Sequence, residues 1–285
     1  MKKEILLFGM ERFVCGGACA AERISSRSNP RVVRAAGLKD RRNRESERAF
    51  LCEGIKLTGE ALAFGRVREV FVREDALGLF DEMLGGSLPD GVGVFVLSAP
   101  AFEKISTERS PQGVISVADY PENYSLWDGE VPEGGILMLE SVMDPGNVGT
   151  VLRSAAAFGC GSVVLSRCAD VFGPKTVRGA MGALFKQRII RADDGEGFVR
   201  ALREKGRRAL AATLGESALS LGGYETIRDD CVIIGNEGHG ICDEVTALCT
   251  DRVFIPMDGN TESLNAAVAA AVILWEYYKN AERDR

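Results

Sequence analysis

With 285 residues, 46% of them apolar, the chain is long enough for two domains that each bury their own core. Its longest apolar stretch, residues 266–275, is about half of what a bilayer-spanning helix requires, which excludes a membrane span. The formal charge of −6 argues against wholesale nucleic-acid binding, yet residues 23–48 hold nine Lys or Arg against three acids, a local balance of +6 that leaves −12 for the remainder.

At the start, Lys2 and Lys3 precede an apolar run, residues 5–10, that Glu11 and Arg12 interrupt sooner than a signal-peptide core allows. Residues 1–24 therefore read as a disordered leader of a cytoplasmic protein. A polar helix is expected over 30–48. Basic blocks of this kind neutralise phosphates and release counterions, which makes Arg27, Arg31, Arg34, Arg41, Arg42 and Arg44 candidate RNA contacts. A solvated helix face with pairs such as Arg41 and Glu45 explains the same pattern. A short strand near Phe50, an amphipathic helix from Lys56, and strands over 70–72 and 94–97 make residues 25–120 a small α/β domain.

Residues 121–134, rich in Pro, Gly and acids and without an apolar period, read as a linker. From 135 onward the pattern changes to longer βα units. Apolar strands over 136–139, 162–165, 209–213, 231–234 and 253–256 are of the kind that a parallel sheet buries on both faces. A helix with Val148, Val151, Leu152 and Ala155 on one stripe ends at Gly159. The eight cysteines include no C-x-x-C pair and His239 is the single histidine, so neither a metal site nor a redox motif is expected.

Open parallel sheets bind ligands beyond the carboxyl ends of their strands, which directs the search to three loops. The first, ESVMDPGNVGTVLRSAAAFG (140–159), sets Asp144 and Pro145 in a turn, Gly146 and Gly149 where backbones can approach closely, and Asn147 at a helix entrance. Arg153 lies roughly 140° around that helix from Val148, off the buried stripe and free to face a ligand. The second, IIGNEGHG (233–240), runs a strand into three glycines around Glu237. The third, IPMDGNTESLNAAVAAAVILWE (255–276), leads through Ser263, Leu264 and Asn265 into a helix of small residues suited to close packing. Taken singly, each has a plainer explanation: an N-cap at Asn147 or Ser263, an ion pair at Arg153, a tight turn at 235–240.

Together, the order and spacing of these loops resemble the SpoU (TrmH-like) branch of the SPOUT methyltransferases. The shared patterns are D-P-x-N-x-G-x-x-x-R-x-A, G-x-E-x-x-G, and I-P-M followed by S-L-N. The segments FLCEGIKLTGEAL (50–62) and STERSPQGV (106–114) are similar to the L30e-type substrate-binding domain that precedes the catalytic domain in many members. The resemblance implies an α/β protein whose C-terminal parallel-sheet SPOUT domain, 135–285, carries a trefoil knot. It further implies S-adenosylmethionine as cofactor, with Gly235, Ile255 and Leu264 lining its pocket and Asn147, Arg153, Glu237, Ser263 and Asn265 on the reacting side. The implied activity is methyl transfer to a ribose 2'-OH of RNA, ribosomal RNA before transfer RNA, by a homodimer. Arg153 would act there as base or as fixed cation. One position departs from the pattern: where many members have serine in V-R-A-S-M-G-A, this chain has Ala180. A non-catalytic RNA-binding or ribosome-assembly protein of the same fold is the competing class. A dinucleotide enzyme is disfavoured, because neither diagnostic glycine fingerprint is present.

Overall fold

The computed structural model describes residues 14–15, 19–85, 88–215, 217–258 and 263–283. In the first unit, Met1–Asp119, β1 (Val14–Cys15) and β2 (Cys19–Ala20) pair antiparallel. They are followed by β3 (Glu22–Ile24), α1 (Pro30–Gly37), α2 (Arg41–Glu47), β4 (Ala49–Glu53), α3 (Ile55–Phe64), β5 (Val67–Arg73), α4 (Leu77–Leu84), β6 (Gly93–Leu97), α5 (Ala99–Ile105) and β7 (Val114–Asp119). The sheet runs β3-β6-β5-β7-β4, parallel across β3, β6 and β5 and antiparallel at β7.

Strand alternation in β5 and β6 gives this sheet two apolar faces. Phe71, Phe95 and Leu97 join Val32 of α1 and Phe102 of α5 in one cluster, while Val70, Val72, Val94 and Val96 join Leu77, Phe80 and Leu84 of α4 in another.

Two expectations for this unit need correction. Of the expected leader, residues 1–13 and 16–18 lie outside the described residues, but Glu22–Ile24 is a strand paired with β6. A single buried residue, Ile24, after the exposed charged residues Glu22 and Arg23 offers no alternation to read. The helix expected over 30–48 is two helices. Asp40 caps α2 by accepting from Arg42 N–H at 2.8 Å, and Arg44, 4% exposed, donates to the Leu38 and Lys39 carbonyls at 2.7 Å each. That guanidinium satisfies carbonyls left over at the end of α1, so Arg44 is a structural residue and not a phosphate contact.

The second unit, Tyr120–Arg285, contains β8 (Tyr124–Leu126), β9 (Ile136–Glu140), α6 (Pro145–Ala157), β10 (Ser162–Ser166), α7 (Pro174–Ala180), β11 (Ile189–Arg191), α8 (Gly195–Glu204), β12 (Ala209–Ala212), β13 (Leu219–Ser220), β14 (Cys231–Ile234), α9 (Asp243–Leu248), β15 (Asp251–Phe254) and α10 (Ala266–Arg283). Its eight-stranded sheet, ordered β13-β15-β12-β14-β9-β10-β11-β8, is parallel throughout. The segment expected as a linker supplies its edge: β8 pairs with β11, and Trp127 meets Phe198 edge-on at 5.6 Å. Three residues are too few for a period to emerge from the sequence.

Helix α6 buries Val148, Val151, Leu152 and Ala155 completely and packs against both α7 and α10. Its contact with α7 is a backbone contact. A Cβ at Gly149 would lie 2.5 Å from the Thr176 carbonyl oxygen and 2.9 Å from Ala180 N and Gly179 Cα. At its other end α10 is anchored through Tyr277, whose hydroxyl donates to Asp230 at 2.7 Å. Asp230, 1% exposed, also accepts from Arg208 Nε and Nη2 at 2.7 Å each. Burial first, then the Asp230 carboxylate, pushes the Tyr277 hydroxyl well above the ordinary tyrosine range, so it remains a donor.

Because only main-chain atoms face Gly149, nothing can swing aside. Gly149→Ala is expected to lower unfolding free energy by about 1–3 kcal/mol in urea melts; an unchanged midpoint would show that α6 and α7 separate without cost.

Candidate active site

Since all strands of the second unit are parallel, the loops after them gather at one edge of the sheet. A cavity of about 290 Å³ opens there, beyond the carboxyl ends of the neighbouring strands β12, β14 and β15. Leu221, Ile234, Val253, Phe254 and Ile273 give it apolar walls, and Gly235, Ile255 and Leu264 line it as expected. Glu237 and Ser263 line it too.

Gly235 is sterically required. A Cβ there would sit 2.2 Å from the Gly240 carbonyl carbon and 2.3 Å from Ile241 N, because the loop folds back on itself through paired Asn236 and Gly240 main-chain bonds of 2.9 Å each. The main chain at this point can therefore face a ligand with no side chain intervening.

Asn147 and Asn265 meet Glu237 at the rim. Asn147 donates through Nδ2 to Glu237 Oε1, and its Oδ1 accepts from Asn265 Nδ2 at 3.1 Å. One amide thus joins the loop after β9, the loop after β14 and the start of α10. Asn147 is not the cap of α6. Asp144 caps it, accepting from Asn147 N–H at 2.9 Å, and Lys175 pairs with Asp144 at 2.9 Å. The Lys175 hydrogen bond, then main-chain N–H groups, hold the Asp144 carboxyl below its usual range. Likewise Ser263 does not cap α10. Asn265 does, its Oδ1 accepting from Ala267 N–H at 2.9 Å and Val268 N–H at 3.3 Å. Ser263 is thereby left exposed at the cavity wall.

Arg153 is exposed, lies off the buried stripe as its helical position dictates, and has no hydrogen bond or ion pair among the described residues. It lines neither the cavity nor the shallow groove between α6 and α10 that Asn147, Thr150, Ser154, Asn265, Val268 and Trp275 border. Ala180 is fully buried against α6 and also stays outside the cavity.

Sequence reasoning passed over the exit of β12, where Thr213 and Leu214 line the cavity. The rule that pointed to the other loops applies equally there, but ALAATL carries no glycine cluster or ionisable group to mark it. It also passed over Asn236, hidden beside the more conspicuous Glu237. No group of three His, Cys, Asp or Glu among the described residues could hold a metal ion, and none of their helices is long and apolar enough to cross a membrane.

The fold and loops are those of a known family. Residues 135–275 match the SpoU rRNA Methylase family and residues 29–116 the MRM3-like substrate binding domain. The 23S rRNA (guanosine(2553)-2'-O)-methyltransferase RlmP of Bacillus subtilis is 30% identical over 259 residues, covering 89% of this chain and 98% of that protein. Among solved structures, the AdoMet-bound rRNA methyltransferase from Sinorhizobium meliloti is 26% identical with a TM-score of 0.77, covering 91% of this chain and 98% of that one. The SpoU methyltransferase AviRb from Streptomyces viridochromogenes, in complex with AdoMet, is 27% identical with a TM-score of 0.76, covering 90% and 100%. This chain belongs to the SpoU rRNA methylase family.

The two hydrogen-bonding roles of Asn265 can be separated. Asn265→Ala loses the cap and is expected to cost about 0.5–2 kcal/mol in denaturant melts. Asn265→Asp keeps the cap acceptor and should melt close to wild type while losing the donor to Asn147; a melt as poor as that of Asn265→Ala would mean the Asn147 bond, not the cap, holds α10.

Proposed function

We propose that this chain transfers the methyl group of S-adenosylmethionine to a ribose 2'-OH of ribosomal RNA. The observation that supports this reading best is the joining of Asn147, Glu237 and Asn265 at the rim of a cavity lined by Gly235, Ile255 and Leu264. The cofactor's chemistry suits that cavity. Apolar walls suit a flat base, and the side-chain-free main chain at Gly235 suits polar groups that need hydrogen bonds at close range. Gly235, Ile255 and Leu264 would hold it, and when bound it supplies a sulfonium whose methyl is already activated.

What remains for the protein is to place the ribose hydroxyl and deal with its proton. Asn147 fixes Glu237 at the rim, and Ser263 offers an exposed hydroxyl at the wall of the same cavity. A guanidinium seldom gives up its proton, so Arg153 serves as a fixed cation that stabilises the developing alkoxide. Because Arg153 does not line the cavity of its own chain, the site is completed in a homodimer. Val268, Val272 and Trp275, 49%, 37% and 49% exposed at helical spacing on α10, form an apolar stripe suited to that interface. In the same reading the second unit carries the family's knotted topology, and the protein works in the cytoplasm with its RNA.

In the first unit, Arg31 and Arg34 pair with Glu69 and Glu47 at 2.8 Å, and Arg41 with Glu45 at 2.9 Å, leaving Arg27 and Arg42 exposed and without an ion pair among the described residues. These two carry the RNA contact of the basic block.

Mapping 2'-O-methylation across total RNA with and without the gene tests the activity. A site should vanish on deletion and return with the wild type but not with Arg153→Ala, while calorimetry finds cofactor affinity within about twofold of wild type, since the guanidinium acts on the reacting oxygen and not on the bound cofactor. Full turnover by Arg153→Ala would remove it from the mechanism.

Arg42→Ala should weaken RNA binding and reduce the slope of log affinity against log salt by about one. Arg44→Met should instead cost about 1–3 kcal/mol of stability by orphaning two carbonyls, with the salt slope unchanged.

A further inference from the structure

The side-chain amide of Asn236 is spent entirely on main chain. Nδ2 donates to the Ser141 carbonyl at 3.0 Å, and Oδ1 accepts from Gly238 N–H at 2.8 Å and His239 N–H at 3.2 Å. One side chain thus both folds the loop that carries Glu237 and ties it to the turn after β9.

That turn is itself fastened. Ser141 has φ +57°, a left-handed conformation that a non-glycine residue adopts at a cost. From there its Oγ donates to Glu140 at 2.7 Å and its N–H to the Ser166 carbonyl at 2.9 Å. Glu140, 2% exposed, also accepts from Arg167 Nη2 at 2.6 Å, and Arg167, the residue after β10, is likewise left-handed at φ +53°. The exits of β9, β10 and β14 therefore share one polar cluster. An apolar side chain at position 140 would fill the same space without burying a charge, so the cluster is poorly explained by core stability alone.

We propose that Asn236 is a positioning residue for methyl transfer, acting through the loop it clamps. It keeps Glu237 opposite Asn147 and the Gly235 main chain at the cavity wall. A segment with glycines at 235, 238 and 240 has many backbone alternatives, and a clamp at both its base and its tip removes most of them. The catalytic part of this inference rests on the methyltransferase reading above; the clamp does not.

Two variants of the full chain divide the roles of the amide. Asn236→Ala removes both halves. Asn236→Asp keeps the acceptor for Gly238 and His239 but sets a carboxylate against the Ser141 carbonyl. Amide hydrogen exchange, measured without RNA or cofactor, should show protection at Gly238 and His239 lost in Asn236→Ala and retained in Asn236→Asp. Both variants should lose about 10- to 100-fold in kcat while KM for the RNA stays within about twofold, because the loop is misplaced and the RNA-binding surface is untouched. Wild-type kcat in Asn236→Asp, or undiminished protection in Asn236→Ala, overturns the proposal. A wild type that transfers no methyl group, with protection still lost in Asn236→Ala, overturns the methyltransferase reading and leaves the clamp standing.

Discussion

The amide of Asn147 can serve Glu237 and Asn265 at once only because the first turn of α6 is held in one place, and what holds it is the absence of a side chain two residues on. Gly149 lets α6 lie against the main chain of α7, with Asp144 and Lys175 fastening the turn that leads in. From that fixed point the amide reaches out to two other loops. The parallel sheet supplies the other half of the constraint, since it delivers every loop to the same edge. Remove either, and residues separated by 90 and 118 positions in the chain have no reason to meet.

What the sequence revealed and what it hid follow from length and chemistry. The strands at 136–140, 162–166 and 231–234 are built around the apolar runs 136–139, 163–165 and 231–234 and were legible as buried strands, as was the stripe of α6. β8 and β13 were not, because two or three residues carry no period. At the site, Gly235, Ile255 and Leu264 could be named because the family's patterns mark them. The plainer alternative of an N-cap at Asn147 or Ser263 could not be decided from sequence for a physical reason: Asp144, Asn147, Ser263 and Asn265 are all good caps by type, and only the backbone geometry says which oxygen faces the free N–H groups.

The basic block is the clearest case of composition misleading. Six arginines read alike in a charge count, yet Arg44 is a buried hydrogen-bond donor, three others face carboxylates, and two stay open to solvent. A local balance of +6 therefore overstates the charge on offer to a phosphate chain. Much of it is internal to the fold, where it links α1, α2 and β5.

The walls of the cavity come from residues 212–273, whereas the first unit closes its sheet within residues 22–119. Domains fold as units while a chain is still being made, earlier segments first. The unit matched to substrate binding can thus be complete while the cavity still lacks α10, whose Ala266, Ala269 and Ile273 form part of its wall. The order of residues along the chain separates the two capacities in time: a nascent molecule gains its first folded surface before it has anywhere to hold a methyl donor.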